Sequence, residues 1–470
     1  MTRVLRSTRV LLGGGPDPIR IAPADVHIDG PMIVAVTDPD PSVPPSDDLG
    51  DQLLTPAFVN AHTHLAMGYL RGLATNAELQ GNVVEDLYFR IESHLEPGDV
   101  RAFTRIAAVE SALAGVGCVW DHYYFGMEVA EALRDVGLTG VVAPTVQDVD
   151  GPGTAWLDAQ WQDMADLAAD LQMSAAGILA AAGPHATDTV SSELWARVAR
   201  FAHDAKIPVH AHIAQSVEEY ERSISEHGCS PIARLHREGT LDAVPSFLLV
   251  HGLYVDRSDL KLLDPARHLL VHCPWSQVQF GFPARVSWWR EAGIDMALAT
   301  DCGACNDTMD VQQELRLAAW GPTYAATWSP AADAFGARGS LRTAQALSQR
   351  RGLQVTAQLP DATYQRLLDA VWAVPGAAHA GLPLGRIAPA TRANLLVWNM
   401  EHPVLWPGTH LLHALTQSSV SGAIDALWIN GAPLSTPGDH HRSLLAHADL
   451  GSWRAEADAR MQALMARAGV

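Results

Sequence analysis

The segment NAHTHLAMGYLRGL, which begins at Asn60, places His62 and His64 two positions apart, directly after the apolar run LLTPAFV. In an extended strand, side chains at positions i and i+2 project from the same face and start roughly 6.5 to 7 Å apart. Two imidazoles on one face are suited to ligate the same metal ion, with Zn–N bonds of about 2.0 to 2.1 Å. The motif therefore predicts a strand that ends in a two-histidine metal site.

Two further residues would complete the ligand set. His212 in the segment PVHAHIAQ adds a third imidazole, and Asp301 in LATDCGACND adds a carboxylate. Such a mixed set suits one divalent metal, Zn²⁺ or Fe²⁺, with a coordination position left for water. The chain's two lysines, Lys206 and Lys261, do not stand near the ends of these strands, so a carbamylated lysine that bridges two metals is not expected.

The chemistry expected of this metal centre is hydrolysis. A metal-activated water needs a base to accept its proton and a donor to stabilise the charge that develops on the substrate. Asp301, as ligand and base, and His251 in the segment LLVHGLY suit these two tasks. Taken singly, His251 also fits a buried histidine at a strand end, and Asp301 fits an aspartate in a turn.

The elements that must position these residues follow an alternating pattern. Short runs rich in Val, Leu, Ile and Ala are separated by amphipathic stretches of helical period, such as residues 97–115 and 191–205. Eight strand and helix units predict a distorted (β/α)8 TIM-like barrel, whose reactive groups lie at the carboxyl ends of the strands. The candidate strands are residues 54–63, 116–125, 139–146, 175–185, 207–214, 246–254, 267–276 and 294–302. The histidines and the aspartate at the predicted strand ends are His62, His64, His122, His185, His210, His212, His251, His272 and Asp301.

The two ends of the chain contain further strand-like pieces. Neither residues 1–53 nor residues 388–440 hold enough strands to bury a core alone, so they are expected to pair into one small composite β-sandwich domain. Residues 54–387 would form the barrel, and residues 441–470 a C-terminal helical tail.

Composition excludes several classes of partner. With 32 Lys and Arg against 52 Asp and Glu, the formal charge is -20, which repels nucleic acid and anionic lipid. The sequence has no apolar run long enough for a membrane helix and no clear secretory signal, so a cytoplasmic protein is expected. The five cysteines are odd in number and scattered, which favours a reducing compartment. Cys302 and Cys305 form a single C-x-x-C pair, which alone indicates small residues in a tight turn more than a metal or redox site.

These motifs resemble the amidohydrolase superfamily, in particular its deaminase and chlorohydrolase branch. The matching segments include LLTPAFVNAHTHLAMGYLRGL, GPHATDTVS, PVHAHIAQSVEEYERSISEHGCSPIARLHREG, LLVHGLYVD, HCPWSQ and GIDMALATDCGACNDTMDVQQELRLAA. The resemblance implies that the metal ligands are His62, His64, His212 and Asp301. It also implies that His251 is the catalytic or carbonyl-polarising histidine, that His185 faces the substrate, and that the protein is a homodimer or higher homo-oligomer.

One departure from the family pattern concerns proton transfer. The third histidine usually begins the pattern H-x-x-E, whose glutamate carries a proton to the ring nitrogen of the substrate. Residues 212–215 of this chain read HIAQ instead. The amide of Gln215 can hydrogen-bond a ring nitrogen or a carbonyl, yet it cannot carry a proton. Either the substrate needs no ring protonation, or His251 and Asp301 perform the proton transfers. Trp275 in HCPWSQ is a further candidate for the wall of the substrate pocket, and a buried tryptophan at the barrel rim is the competing interpretation.

The sequence thus predicts a metal-dependent hydrolase of a small-molecule substrate, which removes an amino or comparable leaving group from a nitrogen heterocycle. Hydrolysis of an amide, lactam or imide C–N bond is the alternative that Gln215 favours, since that reaction needs no ring protonation. A non-catalytic metal-binding homologue is the third hypothesis, and the otherwise complete set of site residues argues against it.

Overall fold

A computed structural model describes residues 2–73, 83–280, 284–327 and 361–470, together with positions 342 and 345. Within these ranges the strands form three sheets. One sheet is built from both ends of the chain, and the other two consist of parallel strands from its middle. The predicted barrel range 54–387 includes residues 74–82, 281–283 and most of 328–360, which lie outside the described residues.

Both ends of the chain contribute strands to the first sheet. Its strands are β1 Arg3–Gly14, β2 Asp17–Asp29, β3 Met32–Thr37, β4 Asp47–Asp48, β5 Leu53–Pro56, β16 Leu395–Trp398, β17 Ile424–Ile429 and β18 Ala432–Pro433. They lie in the order β18-β17-β16-β5-β1-β2-β3, with β4 paired to β1. Strand β5 joins the two ends, because it pairs with β1 on one side and with β16 on the other. The strand predicted from residue 54 is therefore divided, since Pro56 ends β5 and the barrel begins at Phe58.

The barrel strands follow the predicted order along the chain. They are β6 Phe58–His64, β7 Val116–Tyr123, β8 Thr139–Val146, β9 Ile178–Ala180, β10 Gly183–Pro184, β11 Val209–Ile213, β12 Phe247–His251, β13 His268–His272, β14 Met296–Leu298 and β15 Asp301–Cys302. Neighbouring strands in these two sheets pair in parallel. A bridge between Ala182 and Val209 links the sheets, and β15 pairs with β6. The strands thus return to their starting point, as in a TIM-type barrel.

Helices connect the strands and cover the barrel. They span Phe89–Glu92, Pro97–Leu113, Gly126–Val136, Leu157–Ala169, Leu171–Ala176, Ser192–Ala205, Val217–His227, Pro231–Arg237, Thr240–Ala243, Pro274–Phe280, Val286–Glu291, Gly303–Asn306, Val311–Thr327, Asp361–Asp369, Ala373–Ala377, Leu411–Gln417, His440–Leu445 and Leu450–Ala468. The two helices predicted from period and capping are confirmed. Pro97 opens the first of them, with Asp99 in its capping box, and Ser191 caps the second by accepting from the backbone N–H of Leu194.

The interior of the barrel changes character along its axis. Small and aliphatic side chains, with Trp120, fill one part, where Val59, Val141 and Val250 belong to the same buried cluster. Toward the carboxyl end of β11, the residues on the interior side are histidines, at positions 210 and 212. They alternate with apolar residues that pack on the outer side. The period-2 pattern of HAHI thus separates a polar barrel mouth from an apolar shell.

The C-terminal helix Leu450–Ala468 packs against the helix Pro97–Leu113. The carboxylate of Asp99 is almost fully buried in this contact and accepts hydrogen bonds from Arg460 and Arg467. Helices of the described residues are all too short or too polar to cross a membrane.

Asn394 connects the terminal sheet to the barrel, and its replacement gives the first prediction. Its side-chain amide donates to the carbonyl of Gly117 (3.1 Å) and to Thr139 Oγ1 (2.8 Å), and its Oδ1 accepts from the backbone N–H of Asn430 (3.0 Å). Asn394→Ala would remove these three hydrogen bonds and leave the backbone N–H of Asn430 without this acceptor, so we expect the free energy of unfolding to fall by about 2–3 kcal/mol.

Urea denaturation would measure this loss. Asn399→Ala is the matched control, because Asn399 Oδ1 accepts from the backbone N–H of Glu401 in an exposed hydrogen bond within one turn. The control should cost about 1 kcal/mol or less. Equal losses for the two variants would contradict a connecting role for Asn394.

Candidate active site

The predicted ligands come together at the carboxyl ends of three strands. His62 and His64 end β6, His212 lies near the end of β11, and Asp301 opens β15 beside β6. All four side chains are almost completely buried. The structure therefore brings together the four residues that the sequence grouped as a metal site, and their role as ligands stays a prediction.

The distances between the four side chains fit one small cation. His212 Nε2 lies 3.3 Å from both His62 Nε2 and His64 Nε2. Asp301 Oδ1 lies 3.6 Å from His62 Nε2 and 3.5 Å from His64 Nε2. Ligands about 2.0–2.1 Å from a shared tetrahedral centre would be separated by about 3.3–3.4 Å. The donor atoms thus stand at the spacing that a bound Zn²⁺ or Fe²⁺ requires.

A second set of contacts aims each imidazole at this centre. The Nδ1 atoms of His64 and His212 donate to the backbone carbonyls of His122 and His185. His62 Nδ1 lies 3.0 Å from His210 Nε2. Because a carbonyl oxygen can only accept, Nδ1 carries the proton in His64 and His212, and the lone pair of Nε2 in these two rings is directed into the centre. Burial lowers the pKa of His62, His64 and His212, which keeps the three imidazoles neutral.

His251 and Ser276 lie against the other carboxylate oxygen of Asp301. Ser276 Oγ donates to Asp301 Oδ2 at 2.6 Å, and His251 Nε2 lies 3.9 Å from the same oxygen. The His251 ring stacks on that of His212, with centroids 5.4 Å apart. One oxygen of Asp301 therefore faces the ligand centre, while the other faces a histidine and a hydroxyl.

Backbone strain marks three residues of this mouth. Ala214, His251 and Asp301 have φ angles of 53°, 73° and 62°. Non-glycine residues in this region cost on the order of 1–3 kcal/mol each and persist where the surrounding structure imposes them. The three positions follow or end β11, β12 and β14, so the strain turns the chain where the site residues must face the centre.

A cavity opens beside three of the four predicted ligands, His64, His212 and Asp301. Its wall includes His185, Gln215, His251 and Asp301, which the sequence singled out. The helical segment 84–92 forms another part of the wall, with Tyr88 and Glu92 in the lining.

Sequence reasoning missed this helical wall. Tyr88 and Glu92 are four positions apart, so they share one helical face, but a helical period does not reveal which face meets a cavity. Among the described residues, the buried hydroxyl of Tyr88 has no hydrogen-bond partner. Tyr123 donates to Glu92 Oε1 at 2.7 Å, and burial raises the pKa of Glu92 to about 7. The cavity therefore contains a second carboxyl group that titrates near neutrality.

Comparison with known proteins identifies the family of this chain. The model of the amidohydrolase family matches residues 53–348. The chain belongs to the amidohydrolase family. The prediction of this family, and of an amidohydrolase-type hydrolase, is confirmed by this match.

Relatives of this amidohydrolase include deaminases. This chain is 32% identical over 405 residues to the 5-methylthioadenosine/S-adenosylhomocysteine deaminase of Halobacterium salinarum. The aligned region covers 85% of this chain and 86% of the relative. Solved structures with a similar fold include two zinc complexes. The zinc-bound adenosine deaminase of Xanthomonas campestris has a TM-score of 0.78 at 22% identity, with 98% of each chain covered. The zinc complex of atrazine chlorohydrolase from Arthrobacter aurescens has a TM-score of 0.75 at 21% identity, with 97% of this chain and 99% of the other covered.

Of the three residues predicted to contact the substrate, two line the cavity and one does not among the described residues. His185 lines the cavity, with Nδ1 2.8 Å from Thr189 Oγ1, and Gln215 lines it on the neighbouring side. Trp275 is 46% exposed and does not appear in the cavity wall formed by the described residues. Its backbone N–H donates to Glu314 Oε2, and a substrate contact by its ring stays a prediction.

Gln215 is held in place by a buried carboxylate of the following helix. Glu219 accepts the backbone N–H of Gln215 at 2.7 Å and that of Ala214 at 3.0 Å. Its side chain is fully buried and also accepts from Thr187. Glu219 thus fixes the turn that follows His212, although its carboxylate does not replace the missing one at position 215, because Glu219 is absent from the described cavity wall.

Proposed function

We propose that this amidohydrolase is a metal-dependent deaminase, which replaces the amino group of a nitrogen heterocycle with oxygen from water. The observation that carries this proposal is the convergence of His62, His64 and His212, with Asp301 beside the first two and His251 in the wall of the same cavity. The deaminase activity named for the Halobacterium relative supports it and makes an amino-purine nucleoside the first substrate class to test.

The residues proposed to hold the metal are His62, His64, His212 and Asp301. Their spacing fits Zn²⁺, and Zn²⁺ is present in the two structures with the same fold. When bound, the metal would supply Lewis-acid activation of a water molecule for attack on the ring carbon. Fe²⁺ suits the same mixture of imidazole and carboxylate and is the second candidate.

Two side chains beside the ligands are placed for the proton transfers. Asp301 Oδ2, held by the Ser276 hydroxyl, accepts the proton that the attacking water loses. His251 Nε2 lies 3.9 Å from that oxygen. In the proposed reaction His251 donates a hydrogen bond to the substituent on the attacked carbon, where charge develops, and it orients the leaving amino group. Burial lowers the pKa of His251, so the group acts as a neutral donor.

The ring nitrogen needs a different proton source, since Gln215 is neutral. Among the described residues of the cavity wall, Glu92 is the carboxyl group other than Asp301. Its pKa of about 7 leaves a protonated fraction at neutral pH, held by the Tyr123 hydroxyl. We propose that Glu92 supplies the ring proton while Gln215 hydrogen-bonds the ring, and that Tyr88 donates from the same wall.

Hydrolysis of an amide, lactam or imide bond is the second candidate function. Gln215 is the observation that favours it, because a carbonyl substrate is polarised by the metal and needs no ring protonation.

Ammonia release would test the proposed function. The zinc-loaded protein would be assayed with amino-purine nucleosides, free aminopurines, pteridines, pyrimidines, triazines and a set of lactams and imides. We expect ammonia from at least one aminated heterocycle, loss of the reaction on chelation and its return with Zn²⁺. Ring opening of a lactam with no ammonia from any heterocycle would overturn the proposal in favour of the second candidate.

Further expectations from the sequence remain proposals. These are the domain boundaries at 1–53 with 388–440, 54–387 and 441–470, a sandwich arrangement of the terminal sheet, a homodimer or higher homo-oligomer, and a cytoplasmic location. The shared sheet of both chain ends supports the first two. The free cysteines support the proposed cytoplasmic location.

A further inference from the structure

A pair of thiols lies beside the ligand centre, and the proposed reaction does not use it. Cys302 is the second residue of β15 and directly follows Asp301, and Cys305 lies in the helix Gly303–Asn306. The two Sγ atoms are 3.2 Å apart, and both residues are buried. Both also line the cavity, so they are reached from the space that the substrate would occupy.

The two thiols and the carboxylate of Asp301 form a compact set of donors. One oxygen of Asp301 and the two sulfur atoms all lie within 4.8 Å of one another. A tetrahedral site with Zn–S bonds of about 2.3 Å and a Zn–O bond of about 2.0 Å needs donor separations of about 3.5–3.8 Å. A small rotation of the side chains would bring the three atoms to this spacing.

Thiolate sulfur determines which cation would bind. Two soft ligands and one carboxylate favour Zn²⁺ or Cd²⁺ over Mg²⁺ or Ca²⁺, which prefer oxygen. The cavity leaves the fourth position open to water or to a substrate atom. Binding would release the two thiol protons to solvent, because the thiolate is the form that ligates a metal.

We propose that Cys302, Cys305 and Asp301 form a second metal site, which takes a soft divalent cation and shares Asp301 with the first site. The inference rests on the proposed function only in the shared use of Asp301. A cation at this site would narrow the cavity and engage the carboxylate that serves as base, so excess Zn²⁺ or Cd²⁺ inhibits the enzyme.

Metal stoichiometry would test the second site. Reduced protein loaded with one equivalent of Zn²⁺ would be titrated with Cd²⁺, and bound metal would be measured by mass spectrometry after gel filtration. Thiolate-to-cadmium charge-transfer absorption would report the ligand type, and thiol titration would confirm that the pair is reduced. We expect a second bound equivalent with this absorption.

Variants would identify the thiols. Cys302→Ser and Cys305→Ser should each weaken binding of the second equivalent at least about 10-fold, and the double variant should bind one equivalent without the absorption. Cys229→Ser is the matched control, because Cys229 is half-buried and outside the described cavity wall. Circular dichroism would show that the variants are folded.

Two results would overturn the inference: a single equivalent bound by the reduced native protein, or a second equivalent that persists in the double variant. Failure of the proposed deaminase reaction is a separate result. A protein that releases no ammonia but binds a second, thiolate-ligated Cd²⁺ would overturn the proposed function and support this site.

Discussion

Asp301→Asn is expected to lower kcat for ammonia release by about 10³-fold, within the range measured for loss of a general base. Asp301 is placed to serve twice, since Oδ1 faces His62 and His64 while Oδ2 accepts from Ser276. Asparagine keeps the size of the side chain and its oxygen, but it cannot accept the proton of the attacking water.

The fold should tolerate this substitution. Asp301 has a φ of 62°, and asparagine is among the residues that adopt this left-handed region most readily. A loss of activity would therefore report the carboxylate and not a changed backbone. Metal content must be measured beside kcat, because the substitution also removes a charged ligand.

Asp307→Asn provides the matched control. Asp307 has the same φ of 62° but is exposed, six positions further along the chain. Its replacement should leave kcat within about twofold of the native value, as expected for a surface change away from the site. Activity of Asp301→Asn within tenfold of native, at equal metal content, would contradict the role of Asp301 as base.

Much of the site could be predicted because its residues stand at strand ends. A short β-branched run followed by histidine locates both a strand and its carboxyl end, and parallel strands bring these ends to one edge. The structure places His62, His212, His251 and Asp301 close together, as the strand-end pattern predicts, and their roles stay predictions.

What the sequence could not reveal depends on tertiary contacts. The spacing of Tyr88 and Glu92 indicates a helical face, yet only packing over the barrel mouth shows that this face lines the cavity. The division of the first strand at Pro56 likewise depends on pairing with β16, which lies more than three hundred residues later in the chain. The proximity of Cys302 to Cys305 follows from the turn after Asp301, where the spacing alone favoured a tight turn without chemistry.

Gln215→Glu is expected to raise kcat/KM for deamination of an amino-purine nucleoside by about 10²-fold. The substitution places a carboxyl group on the cavity wall that His185 also lines, at the position where the H-x-x-E pattern has its glutamate. General acid catalysis by a positioned carboxyl group contributes about 10²–10⁴-fold, and the lower value allows for the proton that Glu92 already supplies. Gln215→Leu, of similar volume, is the control and should lower kcat/KM, because it removes the amide hydrogen bond.

The pH profile of deamination separates the two proton sources, Glu92 in the native protein and the new carboxyl group in Gln215→Glu. A donor acts in its protonated form, which is present below its pKa and lost above it. Burial raises the pKa of Glu92 to about 7, so native kcat/KM should fall as the pH rises through about 7. The described groups that act on Glu92 include Tyr123, which donates to it, and the tyrosines at positions 69, 88 and 124. Burial raises the pKa of each tyrosine well above 7, so none of them would shift this fall in activity at alkaline pH.

Glu92→Gln should remove this alkaline limb and lower kcat in the native background, with a much smaller effect in Gln215→Glu, where the new carboxyl supplies the proton. This dependence of one substitution on the other measures a shared task, because independent sites would give additive effects on the activation free energy. Equal losses in the two backgrounds would contradict Glu92 as the proton source. Lactam hydrolysis that is unchanged by both substitutions, in a protein that releases no ammonia, would instead show that Gln215 belongs to a site that never protonates a ring.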